Sequence, residues 1–246
     1  MTLNERHAKE KSRIVFMFDF DGTLFKTMHL HANLASELMK KYFGMSREKA
    51  KKEYLASSGI SFSKQLDKIF PNENPRKREA CIKEYNERRI KEVFEVAELF
   101  PEIRETLNQL KEQLLVVSSG NDERIINKLL KDKGINGYFQ QVYGSQSGLK
   151  EKHIKTLMQE YHPTLIVFIG DSPYDMQLSR ENIITVGKAG RPEESMLSKE
   201  ELIRHGADIA TKDLKTIAKA LKLGQVTLSS FNKKELLEIL RKEEGI

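Results

Sequence analysis

Ile14-Val15-Phe16-Met17-Phe18, followed directly by Asp19-Phe20-Asp21-Gly22-Thr23-Leu24, is the stretch on which the fold turns. The apolar run is too short for a helix, and it opens on the β-branched pair Ile14 and Val15. It shows no polar alternation, so both of its faces must be covered. That describes a strand buried inside a parallel sheet. The pattern recurs. Leu114 to Val117 (LLVV) stops at Ser118-Ser119-Gly120, Leu165 to Ile169 (LIVFI) stops at Gly170-Asp171, and the weaker Ile183 to Val186 stops at Gly187. Helical patterns fill the intervals, as at 102–113 and 122–133. Alternating strands and helices predict a doubly wound, Rossmann-like α/β fold with a parallel sheet. Such sheets bind ligands beyond the carboxyl ends of their strands. The polar residues that end the runs are therefore expected to share one crevice.

Composition narrows the class further. A chain of 246 residues with 39% hydrophobic residues can build a sizeable core. Lys and Arg (42) exceed Asp and Glu (36) by +6, a surplus that permits an anionic partner without naming nucleic acid. No basic tract is interleaved with aromatics, so no nucleic-acid partner is expected. No run approaches the roughly 20 apolar residues of a membrane helix, and MTLNERHAKEKSR at 1–13 has no apolar stretch of the secretory kind. Cys81 is the single cysteine, which excludes an internal disulfide, a Cys-based zinc cage and an iron–sulfur cluster. A reducing cytoplasm is the expected location.

The alternation breaks between 27 and 96. That block reads as helices over 31–42, 47–57, 62–70 and 76–96, punctuated by Gly44, Ser58-Gly59 and Pro71-Asn72. The predicted organisation is an α/β core from 1–26 and 97–224, an inserted helical domain at 27–96, and a C-terminal helical extension at 225–246. The insert holds 15 basic and 10 acidic residues, or +5 of the chain's +6, enough to draw a small anion toward it. In the extension an amphipathic helix is expected over 227–242, with Ser229 or Ser230 near its N-cap. Its apolar face of Leu236, Leu237, Ile239 and Leu240 suits docking on this chain or on a partner.

Asp19 and Asp21 leave the first strand together, and Gly22 permits a tight turn after them. One carboxylate of such a pair can attack phosphorus while the other lends and takes back a proton. The plainer alternative is a solvated turn. Gly170-Asp171-Ser172-Pro173-Tyr174-Asp175 sets two more acids after a strand, suited to a hard cation such as Mg²⁺. An N-cap at Asp171 or Ser172 is compatible with that role. Ser118, with the amides of Ser119 and Gly120, could hold a phosphate oxygen at a helix start, or simply cap a turn. Lys150 precedes a helical pattern over 151–161 and could offset negative charge, although Lys152 competes for the role. His29 and His31 fall on opposite sides of a helix and suit solvent or substrate contact better than a metal. Cys81 is expected to be buried and inert, and the charged run 76–91 to be a solvated helix face. Gly59 to Ser63 (GISFS) breaks the insert, so Ser61 or Ser63 is a candidate for substrate contact.

In order and spacing these signals resemble the haloacid dehalogenase superfamily, with DFDGTL as the first motif, the Ser ending LVVS as the second, a Lys as the third and GDSPYD as the fourth. The resemblance covers roughly 13–26 and 97–223, and a helical cap between the first two motifs is common in that family. It implies Asp19 as nucleophile, Asp21 as general acid/base, Ser118 on phosphate and Lys150 steadying charge. Mg²⁺ would be held by Asp19, Asp21 (through its carbonyl) and Asp171, with Asp175 in support. The implied activity is hydrolysis of a small phosphate monoester, a phosphorylated metabolite, through an aspartyl phosphate. A phosphomutase, a dehalogenase or a non-catalytic partner-binding protein are the alternatives. Lys26-Thr27 departs from the acidic residue and Ser found in relatives of the phosphoglycolate and phosphosugar type, which leaves the substrate open. The oligomeric state is not legible.

Overall fold

The computed structural model describes residues 14–223 and 232–245; the 1–13 stretch and the candidate caps Ser229 and Ser230 lie outside the described residues. The opening apolar run forms β1 (Ile14–Phe18), with every residue buried. β1 pairs in parallel with β2 (Leu114–Ser118) on one side and with β4 (Leu165–Gly170) on the other, so Val15 faces Leu114 and Ile166 at once. With β3 (Gln141–Tyr143), β5 (Ile183–Lys188) and β6 (Ile209–Thr211) the sheet runs β3-β2-β1-β4-β5-β6, all parallel. The unbroken apolar pattern is explained by the two faces. Val15 and Met17 pack with Val116, Ile166 and Phe168 on one side. Phe16 and Phe18 pack with Leu115, Val117 and Val167 on the other. Each such side chain contributes about 1.5–3 kcal/mol when buried.

The insert is helical throughout: α1 (Met28–Phe43), α2 (Arg47–Ala56), α3 (Phe62–Ile69) and α4 (Pro75–Arg89). The last helix departs from the expected continuous run to Val96. It gives way to a π-helical turn at Ile90–Phe94, in which the Glu95 amide donates to the Ile90 carbonyl at 3.0 Å. The extra residue in that turn buries Val93 and Phe94 and leaves Ile90 exposed.

The core helices follow as α5 (Ile103–Leu110), α6 (Glu123–Asp132), α7 (Lys150–Tyr161), the one-turn α8 (Pro173–Met176), α9 (Lys199–Arg204), α10 (Lys215–Leu223) and α11 (Lys233–Glu244). Asn232 caps α11 in a capping box with Glu235. Leu236, Leu237 and Leu240 are buried, and α11 packs on α10, β5 and β6. The Lys233 ammonium donates to Ser179 at 2.8 Å and to Asp208 at 2.9 Å. Of the two docking options, the apolar face takes the chain's own core.

Candidate active site

Strand order reverses at the neighbouring pair β1 and β4, the place where a doubly wound sheet opens a crevice. Asp19 leaves β1 there, its amide donating to the Ile169 carbonyl at 2.8 Å, and Asp171 follows β4. Gly22 (φ +72°) carries the turn directly over Asp171: a Cβ at Gly22 would lie 2.1 Å from Asp171 Oδ2. Only glycine permits that approach.

Lys150 opens α7 and reaches into the crevice. Its ammonium donates to Asp19 Oδ1 at 2.6 Å and to Asp175 Oδ1 at 2.5 Å, and the side chain is 4% exposed. Lys152, two residues on, is exposed. Burial alone would pull the Lys150 ammonium down, but the Asp175 and Asp19 carboxylates outweigh it and hold it above its ordinary value.

Asp19, Asp171 and Asp175 each offer an oxygen within 4.8 Å of the others, and all three are buried. Burial pushes Asp19 up to about 7, with Lys150 opposing and Asp175 and Asp21 adding to the rise. Burial and the Asp19 and Asp175 charges likewise raise Asp171 well above the carboxylate range. The donors are not used equally. Asp175 Oδ1 is taken by Lys150, while Oδ2 accepts from the Ser172 hydroxyl at 2.6 Å and the Ser172 amide at 3.2 Å. Ser172 is thus both the cap of α8 and the brace of Asp175. The Asp171 carboxylate accepts no hydrogen bond from any described side chain. A buried carboxylate that faces the cavity and is repelled by its acidic neighbours is the donor set that a hard divalent cation relieves.

Asp21 faces elsewhere. Its Oδ1 accepts from Thr27 at 2.6 Å and lies 3.1 Å from His31 Nε2, and its Oδ2 accepts from Asn121 Nδ2 at 2.5 Å. Burial would raise this carboxyl, but His31, Thr27 and Asn121 together bring it down to about 2. The side chain is therefore absent from the carboxylate cluster, and only the Asp21 carbonyl remains as a possible cation ligand. His31 is buried, which corrects its expected exposure to solvent, although it lines the cavity: its Nδ1 lies 2.7 Å from the Tyr85 hydroxyl, itself 3.4 Å from that of Tyr54. Sequence reading missed Thr27, His31 and Asn121 as a set. A partial signal existed, since positions 27 and 31 are one helical turn apart and share a face. His29 is turned away, lining a small hollow with Lys26, Phe100 and Glu194.

Ser118 is a correction. Its hydroxyl pairs with His153 Nδ1 at 2.8 Å, and the ring's Nε2 lies 3.1 Å from the Gly144 carbonyl. Ser118 has the same strand parity as Val116, which packs on the α7 side of the sheet, so its side chain lies under α7. Ser119, Gly120 and Asn121 line the crevice in its place.

The crevice widens into a cavity of about 240 Å³ between the carboxylates and the insert. Gly59, Ile60, Ser61 and Ser63 of the GISFS loop form part of its wall. Ser61 also caps α3, and buried Cys81 stands inside α4 with its thiol pushed by burial up to about 12. Gly59 (φ +93°) presses this loop onto the fourth motif: an added Cβ would stand 2.4 Å from Ser172 Oγ and 2.7 Å from Tyr174 Cβ. Gly59→Ala is expected to push the loop off Ser172 and cut kcat/KM about 100-fold through misplacement of the site. Gly44→Ala has similar backbone strain (φ +70°) but open space around it, and should cost stability while sparing activity. Equal activity of the two variants would show that contact of this loop with Ser172 is unnecessary.

The comparisons with known proteins agree with this geometry. The family model described as haloacid dehalogenase-like hydrolase matches residues 16–188. No curated protein matches the chain. Among solved structures, a predicted phosphatase from Clostridium acetobutylicum is 20% identical with a TM-score of 0.69, covering 86% of this chain and 99% of the other. A predicted phosphoglycolate phosphatase from Haemophilus somnus is 18% identical, TM-score 0.67, covering 87% and 99%. A haloacid dehalogenase-like hydrolase from Streptococcus pneumoniae is 23% identical, TM-score 0.66, covering 85% and 98%. These three likenesses speak for the fold, and the family model spans most of the chain, from β1 through β5. With the acids placed by β1 and β4 and a lysine delivered by α7, the chain belongs to the haloacid dehalogenase-like hydrolases.

Proposed function

We propose that the protein is a Mg²⁺-dependent phosphatase of small phosphate monoesters, working through an aspartyl phosphate on Asp19. The observation that carries this reading is the division of the acids. Asp19, Asp171 and Asp175 cluster around Lys150, whereas Asp21 sits in its own hydrogen-bond network. A dehalogenase has no need of the second acid or of a cation site. Asp19, Asp171 and the Asp21 carbonyl would hold Mg²⁺, which supplies positive charge to the phosphate oxygens as they meet a carboxylate. Lys150 holds Asp19 in place and adds its own charge to that effect. Ser119 and the amides after it receive the phosphate.

The Asp19 carboxylate attacks phosphorus, the bond to the alcohol oxygen breaks, and Asp21 gives that oxygen its proton. Water then attacks the aspartyl phosphate, with Asp21 taking the proton back. Held down to about 2 by His31, Thr27 and Asn121, Asp21 is ionised at neutral pH. A phosphate dianion placed beside it disfavours that second negative charge and raises its proton affinity, the direction a general acid requires. In this reading the helical insert at 27–96 is a cap that excludes water over the core of 1–26 and 97–224, with 225–246 as an extension, and the location is cytoplasmic. Among the described residues no helix is long and apolar enough to cross a membrane.

The test is phosphate release from a panel of small monoesters. Release that stops with EDTA, returns with Mg²⁺ and leaves acid-stable label on Asp19 in rapid quench is the expected result. Transfer between hydroxyls without phosphate release would make the enzyme a mutase. Chloride release from haloacids without Mg²⁺ would overturn the reading.

A further inference from the structure

His153 is a buried imidazole to which the steps above give no task. It lies on α7 one turn beyond Lys150, on the same buried face, and is 1% exposed. The start of α7 needs a hold from outside the helix. Its N-cap residue, Leu149, offers no side-chain cap, and Gly148 before it takes φ +117°, a conformation that favours glycine. His153 supplies the hold. Its Nε2 stands 3.1 Å from the Gly144 carbonyl, which can only accept, so Nε2 carries a proton. Burial holds the ring below its ordinary value, although the Gly144 carbonyl opposes the shift. The neutral ring then accepts at Nδ1 from the Ser118 hydroxyl, at 2.8 Å. The ring also stacks on Tyr143, with 5.4 Å between centres and 18° between planes.

Each of these partners is itself fixed. Ser118 and Tyr143 face each other at the ends of β2 and β3, and the Gly144 amide donates to Glu123 of α6 at 3.0 Å. The imidazole thus ties the first turn of α7 to two strand ends, beside the Ser119 that lines the crevice. On that turn Lys150 must bring one ammonium to Asp19 at 2.6 Å and to Asp175 at 2.5 Å.

We infer that His153 is a positioning residue that aims Lys150 at Asp19 by clasping the start of α7 to the ends of β2 and β3. The inference rests on the phosphatase reading for what Lys150 does, and adds what holds it there. A misplacement of about 1 Å costs on the order of 100-fold in rate, so the clasp weighs on turnover.

The measurement is kcat and KM for p-nitrophenyl phosphate with Mg²⁺, beside Tm. His153→Leu leaves the Gly144 carbonyl and the Ser118 hydroxyl unpaired, and is expected to lower kcat about 10- to 100-fold with little change in KM. His153→Gln keeps a donor for Gly144 and should lose only about 3- to 10-fold. Tyr143→Phe keeps the stack but removes the 3.0 Å bond to Glu160 at the far end of α7. It should lower Tm and spare kcat. In a Lys150→Ala chain, His153→Gln should cost no further turnover, because no ammonium is left to aim. An unchanged kcat in both His153 variants, an equal loss in Tyr143→Phe, or the same fold-loss with and without Lys150 would overturn the inference. A wild type that hydrolyses no phosphate ester would sink the phosphatase reading alone. The cycle is then read in Tm: the drop caused by His153→Gln should be smaller in the Lys150→Ala chain, and equal drops would overturn the clasp.

Discussion

Asp21→Asn is expected to fold and to hydrolyse an alkyl phosphate at least 100-fold more slowly than the wild type, as the loss of a general acid typically costs 10²–10⁴. An alkoxide leaving phosphorus is strongly basic, and an acid there lowers the barrier by roughly 3–5 kcal/mol. Asn keeps an acceptor for Thr27, which now donates to Asp21 at 2.6 Å, but cannot carry the proton. Its amide also confronts the Asn121 amide, which donates to Asp21 Oδ2, so a small fall in Tm accompanies the change. The defect should shrink for p-nitrophenyl phosphate, whose leaving group needs little protonation, and slow breakdown of the aspartyl phosphate should then become the visible step. Alkyl phosphate turnover near the wild-type rate would remove Asp21 from the mechanism.

Lys150→Ala is expected to lower turnover about 10²–10³-fold, against little change for Lys152→Ala. It also strips a buried ammonium from two carboxylates, and breaking such a pair costs about 3–5 kcal/mol. The pH dependence has a definite sign. Asp19 in the folded chain binds its proton more tightly than a carboxyl at its ordinary value of 3.8, being raised to about 7. A group raised in this way subtracts stability as pH climbs between those two values. Without Lys150 the rise is larger, because its charge opposes it. The Tm deficit of Lys150→Ala should therefore be greater near pH 8 than near pH 5, and Mg²⁺ should recover part of it at the higher pH. A deficit independent of pH, with turnover intact, would make Lys150 a packing residue only.

Both experiments probe groups whose positions were legible to different degrees before the fold was in view. Asp19, Asp21 and Asp171 were readable because their placement is a strand-end property: an apolar run stops, the acid follows, and the parallel sheet brings such ends together. The choice between Lys150 and Lys152 depended on helix phase, which is set by where α7 begins, and Lys150 is its first residue. The Ser118 reading failed on strand parity. LLVVS continues the strand by one residue, Ser118 pairs with Tyr143 across from it, and the alternation turns its hydroxyl to His153. That parity was present in the sequence, but where the strand ended was not. The edge strands β3 and β6, three residues each, carry too little pattern to stand out.

The sequence by itself determined the parallel α/β architecture, the helical insert and the acids at the strand ends, because unbroken apolar runs and their punctuation are local and strongly periodic. Tertiary structure alone decided the environment of each carboxyl. Asp21 meets Thr27, His31 and Asn121, the last of these 100 positions away, while Asp19 meets Lys150, 131 positions away. The same tertiary contacts left Arg89 facing the cavity and Arg88, its neighbour, facing three glutamates. The physical reason is that charge, burial and proton affinity depend on distances between segments that only the closed fold brings within hydrogen-bond reach, and no local pattern encodes those distances.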